Sequence, residues 1–324
     1  MLSKLFAIVA NTFVETIRQP IFGVLMWVAA GLLILNPSIA AYSLESGKDN
    51  KIMQDVALSA LLLYGLLASV FSATGVITRE IESYTVLTVI SKPVSRPLFI
   101  FGKYLGVSAA ILVGYYFLCL VFFMTVRHGV METASDKYDQ PVLLLSTLAI
   151  LISLVAATFG NYVYGWHFST ALTAWVVPLG TLALLAVLFL GPQWGLQSPT
   201  TDFGDLQIVY AVVLIFLAVL ILTAFAVALS TRFSQVLTLL LCVGVFALGL
   251  LSDYYLGRFV DEGPLYRVLY AILPNFQFFW VGDALTQEMI IPGAQVARVA
   301  AYAGLYTLAV LSLGVALFQT REVG

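Results

Sequence analysis

Long apolar stretches closed by charges alternate along the chain. Seven intervals carry no Lys, Arg, Asp or Glu: 19–44, 56–78, 104–126, 140–201, 206–231, 233–252 and 299–320. A helix needs about 20 apolar residues to cross a hydrocarbon core of roughly 30 Å. Six of the intervals suit one helix each. The interval 140–201 is too long for one, and its break "GNYVYGWH" (Gly160 to His167) predicts two helices joined by a short turn. The pattern predicts eight membrane-spanning helices in an all-α polytopic protein, with 1–324 as a single transmembrane domain.

The segments between spans have patterns of their own. In "SKLFAIVANTFVETIRQP", Leu5, Phe6, Val9, Phe13 and Ile17 fall near one helical face and Lys4, Asn11, Glu15 and Arg18 on the other. That predicts a helix over 1–19 lying in the membrane interface, with Pro20 starting the first span. A frayed, solvated leader is the alternative. From Arg79 to Ile90, apolar Ile81, Tyr84, Leu87 and Ile90 recur every three residues, and Lys92 and Pro93 follow. A short helix over 79–92 with one apolar side is expected there, lying along the membrane. The alternative is that its charges only anchor span ends. Within 257–296, "VLYAILPNFQFFWVG" is too short to cross and is broken by Pro274 and Asn275. Either a helix pair dipping into the outer leaflet or a flat aromatic-belt helix fits Phe276, Phe278, Phe279 and Trp280 there.

Composition and charge narrow the class. Of 324 residues, 61% are hydrophobic and 10% charged, and mean hydropathy is +1.01, whereas soluble domains carry roughly 25% charge. With both termini in the cytoplasm, the inner segments hold eight bases and four acids and the outer ones seven and thirteen. That balance favours N-in and C-in. A net charge of −2 gives no basic face for nucleic acid. The two cysteines, Cys119 and Cys242, fall inside spans and read as buried apolar residues.

The chemistry that would power transport is missing. His128 and His167 are the only histidines, placed on opposite sides of the membrane, so no His/Cys metal site is expected. Neither Gly47-Lys48 nor Gly102-Lys103 sits in a phosphate-binding loop. The span interiors carry no ionisable group to bind a coupling ion. The pair Gly102 and Gly106 permits close helix approach. Outer Asp202, Asp205, Asp261 and Glu262 are the only candidates for an enzyme at the interface, and they read as solvated loop charges. The energy should come from a partner.

The run Arg79-Glu80-x-Glu82-Ser83-x-Thr85-x-Leu87, with Ser91-Lys92-Pro93-Val94-Ser95-Arg96, Phe99 and Gly102-Lys103, resembles the signature between the second and third spans of ABC-2 type permeases. "NTFVETIRQPIF", "ALSTRFSQVLTLLL", "LPNFQFF" and "FQTRE" extend the resemblance to both ends of the chain. These permeases are membrane subunits of ATP-driven exporters. The resemblance implies that 79–92 is a coupling helix fitting a groove on a separate ABC ATPase, with Arg79, Glu80, Glu82, Ser83, Thr85, Leu87, Lys92, Pro93 and Arg96 its coupling residues. Glu80 and Glu82 would be acidic contacts to the ATPase or the elbow helix, and Arg96 and Lys103 anchors. It also implies an elbow helix carrying Phe13, Glu15 and Arg18, and two permease copies with two ATPases in a bacterial or archaeal cytoplasmic membrane. ATP and Mg would sit on the partner, none on this chain. The mechanism expected from the resemblance has ATP closing the ATPases and spans two and three tilting. Pro274, Asn275, Phe276, Phe278 and Phe279 would form an outer gate. Two features depart from the family: Ser83 stands where Gly is usual, and 141–190 reads as a hairpin inserted into a six-span core. A non-transporting scaffold of the same fold is the alternative function.

Overall fold

A computed structural model describes residues 2–41, 49–82, 95–131, 137–203, 206–287 and 289–319. Its helices follow the charge-free intervals: α1 (Leu2–Arg18), α2 (Pro20–Ala40), α3 (Asp49–Glu82), α4 (Arg96–His128), α5 (Gln140–Tyr164) and α6 (Phe168–Phe189). Then come the single-turn α7 (Thr200–Phe203), α8 (Gln207–Ser230), α9 (Gln235–Tyr255), α10 (Pro264–Ile272), α11 (Gly282–Thr286) and α12 (Gly293–Gln319). By length and composition eight of these can cross a membrane: α2 to α6, α8, α9 and α12. The pair Pro264–Ile272 and Phe276–Leu285 is bent by 45° and brings the number to nine if counted as one span. The protein is an all-α, multi-pass membrane protein.

The turns are set by local chemistry. Pro20 opens α2, where its missing N–H costs nothing. The Asp139 side chain accepts from the Val142 N–H at 3.1 Å to cap α5, with Pro141 in its first turn. Gly165, at φ 67°, ends α5 in the left-handed conformation, and the Asn161 amide donates to the Trp166 carbonyl at 2.6 Å. The three-residue turn to α6 follows, so the break at Gly160 to His167 is a helical hairpin.

The chain divides into two compact units, one of Met1–Gln19, Gly65–Ile111 and Tyr210–Gly324, the other of Pro20–Tyr64 and Leu112–Val209. In the first unit α3 and α8 form the centre. A Cβ at Gly65 would sit 2.2 Å from Val219, and the Ser69 and Thr223 hydroxyls meet at 2.7 Å. Small and hydroxyl side chains bring helices together where lipid removes the hydrophobic drive between them. Gly314 of α12 meets Ala228 of α8 in the same way. In the second unit Met124, Val142, Ala149, Ala183 and Val187 form a cluster joining α4 to the α5–α6 hairpin. Trp27 packs on Phe117, ring centroids 5.3 Å apart.

Two local expectations change. No new helix starts at Arg79: α3 runs unbroken through Arg79, Glu80 and Glu82, because nothing in "ATGVITREIE" breaks a helix. The buried face of α1 also differs from the bulky apolar one. Thr12, Thr16 and Ile17 are buried, while Phe6 is 74% exposed and Leu2 also lies open. The reason is the pair Gly102 and Gly106 on α4. A Cβ there would lie 2.6 Å from Ile8 and 2.5 Å from Thr12, so only glycines admit α1 this closely. That leaves Leu2 and Phe6 for the lipid interface.

Candidate functional site

The charges flanking residues 83–94 are held inside the first unit. Lys103, on the second turn of α4, is 2% exposed. Its ammonium donates to Glu80 Oε1 on the last turn of α3 at 2.7 Å and lies 4.0 Å from Glu15 Oε2 on α1. It also sits over the Phe99 ring, 5.5 Å from the centroid. A buried ammonium must be paired, so this one residue ties together α1, the end of α3 and the start of α4.

On the other side of 83–94, Arg96 opens α4 and reaches the end of α12. It donates to the Gln319 carbonyl at 2.5 Å and lies over the Phe318 ring. Phe318 stacks on Phe99 at 5.5 Å. Arg232, between α8 and α9, donates to the Leu317 carbonyl at 2.9 Å. Two guanidinium groups thus satisfy carbonyls at a helix C-terminus, where the helix dipole favours cations. Arg96 is thus joined to the end of α12, and Lys103 to Glu80. Arg79 and Glu82 lie on the last turn of α3, and Ser83, Thr85, Leu87, Lys92 and Pro93 lie outside the described residues. Of the elbow residues, Glu15 approaches Lys103, Phe13 is half-buried and Arg18 exposed.

The aromatic segment named as an outer gate is firmly packed. Pro274, Asn275, Phe276 and Phe279 are buried, and Gln277 and Phe278 are exposed. Gly249 makes room, since a Cβ there would lie 2.4 Å from both Phe276 and the Pro274 carbonyl. The Asn275 N–H donates to the Tyr302 hydroxyl and its amide to the Tyr270 hydroxyl, both at 3.0 Å, and Tyr270 donates to Asp253 at 3.0 Å. Burial raises the Tyr270 phenol above its ordinary value; the bond from Asn275 opposes this and Asp253 adds to it. This network fixes Asn275 against α9 and α12.

A second charge cluster, in the other unit, carries no signal in the sequence. The side chain of Arg127, near the end of α4, is 2% exposed, with Asp139 Oδ2 at 3.0 Å and Asp202 Oδ2 at 3.3 Å from its Nε. Both carboxylate contacts of Arg127 are ion pairs without hydrogen-bond alignment at Nε. Its two Nη groups donate to the Val187 and Leu190 carbonyls at the end of α6. Asp202 also accepts from Gln197 at 2.6 Å. Asp202 sits at an exposed position, but its side chain is only 20% exposed and its carboxylate neutralises the buried Arg127 guanidinium. Asp261 does face solvent, with Arg267 at 3.4 Å.

Among the described residues no group of His, Cys, Asp and Glu could hold a metal. Residues 6–163 match the family model described as ABC-2 family transporter protein. Over this stretch the chain is similar to ABC-2 family transporter proteins. The match covers just under half of the chain, from α1 into α5, and so contains the Lys103 cluster and the segment 83–94. That similarity supports a membrane permease subunit of an ABC transporter. No curated protein and no solved structure matches it.

Proposed function

We propose that this permease exports its substrate using ATP hydrolysed by a separate ABC ATPase that engages residues 83–94. Both termini face the cytoplasm of a bacterial or archaeal inner membrane, and two permease copies work with two ATPases, which carry the ATP and Mg. The observation that supports this reading best is the anchoring on either side of 83–94. Glu80 is tied to Lys103 and Arg96 to the end of α12, so a push on the segment reaches α1, α3, α4 and α12 as one body. Loops that only cap span ends have no need of a buried ammonium to join three helices.

Tagged permease extracted in mild detergent should recover a soluble ATPase in stoichiometric amount, with vanadate-sensitive hydrolysis. Leu87→Asp should abolish recovery. Lys103→Met should keep recovery but uncouple hydrolysis from the permease, because the segment stays and its link to α1 is lost. Recovery of membrane subunits without an ATPase would overturn the proposal and establish a scaffold.

A further inference from the structure

The second unit holds a cavity of about 600 Å³ between the outer halves of α2, α4 and α5. That is within the usual range of ligand sites, roughly 300–1,000 Å³. Its chemistry changes along its length. Ile34, Pro37, Val121, Met124, Leu143 and Ile150 make an apolar body, and His128 and Tyr138 stand at the helix ends. Val121 and His128 are two turns apart on α4, roughly 10 Å of helix rise. No Lys, Arg, Asp or Glu is among the described residues that line it.

The mouth is built rather than incidental. His128 follows Arg127 and Tyr138 precedes Asp139, so each mouth residue is the chain neighbour of a partner in the buried ion pair. The two rings meet edge to face, centroids 6.2 Å apart. His128 Nδ1 lies 3.2 Å from the Gly129 carbonyl. The tautomer that donates there leaves Nε2 as an acceptor. The neighbouring Arg127 is engaged by two carboxylates and two carbonyls, so its guanidinium is not available to an anionic head.

We infer that this cavity binds a single-chain amphiphile with an uncharged hydroxyl-bearing head, its chain along Met124 and Val121 and its head at His128 and Tyr138. The inference is independent of how the permease is powered. Ordinary two-chain bilayer lipid is the competing occupant.

The test uses the permease in lipid nanodiscs with three photoreactive probes of equal chain length: a diazirine monoacylglycerol, a two-chain phospholipid with the same diazirine, and a headless diazirine alkane. The monoacylglycerol should label peptides of α4 and α5 saturably and outcompete the phospholipid. Ser146→Trp or Val121→Trp, which fill the cavity from two different helices, should cut that labelling about tenfold, while Leu305→Trp on the exposed face of α12 leaves it unchanged. His128→Ala should weaken the monoacylglycerol about tenfold and leave the headless chain unaffected. Equal labelling by the phospholipid, or labelling unmoved in whichever filled variant remains monodisperse, would overturn the inference.

Discussion

Helix α4 carries a buried base near each end, and the two are held in different ways. The Lys103 and Arg127 side chains are each 2% exposed and each faces two carboxylates. Arg127 is held by two ion pairs and two hydrogen bonds: both acids lie within 3.3 Å of Nε and both Nη groups cap carbonyls of α6. Lys103 has one short contact, to Glu80, and a longer one to Glu15, which is 35% exposed. A guanidinium fixes direction through several donors, whereas an ammonium on a flexible stem is a point charge that can exchange partners. Arg127 thus clasps the α5–α6 hairpin to α4, and Lys103 is a joint between helices that the proposed mechanism needs to move.

The native cysteines can read the two clusters separately. Cys119 belongs to the unit of Arg127 and Cys242 to the unit of Lys103, and both are buried. A thiol-reactive dye reports each unit's unfolding in the variant that keeps only one of them. The largest effect is expected for Arg127→Ala, which strands two acids and two carbonyls and should cost about 3–5 kcal/mol, seen as early exposure of Cys119. Lys103→Ala should cost about 1–3 kcal/mol at Cys242, since its acids can hydrate. Equal losses would remove the distinction.

Conservative exchange sharpens it. Arg127→Lys should lose about 2 kcal/mol because one ammonium cannot reach both carboxylates and both carbonyls, while Lys103→Arg should change stability by less than about 1 kcal/mol. The smallest contrast lies in the supporting contacts. Gln197→Leu removes a 2.6 Å bond to Asp202 and should cost about 1 kcal/mol in the same dye assay. Glu15→Gln, at 4.0 Å from Lys103, should cost no more than about 0.5 kcal/mol. A larger loss at Glu15 would make the Lys103 cluster the tighter one.

The spans were legible in the sequence because a charge inside lipid is costly, so charge-free runs such as 56–78 mark helices without reference to any partner. The hairpin was equally plain, since Gly165 and its neighbours punctuate a long apolar run. Packing between helices was not. The face of α1 was read from Leu5, Phe6 and Phe13, yet Thr12 and Thr16 are buried, because the partners that select them are Gly102 and Gly106 on a helix some 90 residues away. The Gly pair itself was visible, but the helix it receives was not. The Arg127 cluster was hidden for the same reason: Asp139 and Asp202 lie in segments far apart in sequence, and each alone looks like a loop charge. Glu80 and Lys103 were picked out by resemblance to a family motif, whereas their mutual ion pair needed the fold.

Under the proposed function, residues 83–94 contact an ATPase in the cytoplasm. The most direct measurement places a photocrosslinking residue at Leu87 in living cells and identifies the adduct. A soluble ABC ATPase should be the main adduct, and it should be lost when the photocrosslinking residue is placed instead at Leu305 on the exposed face of α12. Adducts to lipid or to other membrane subunits alone, with no ATPase, would contradict it.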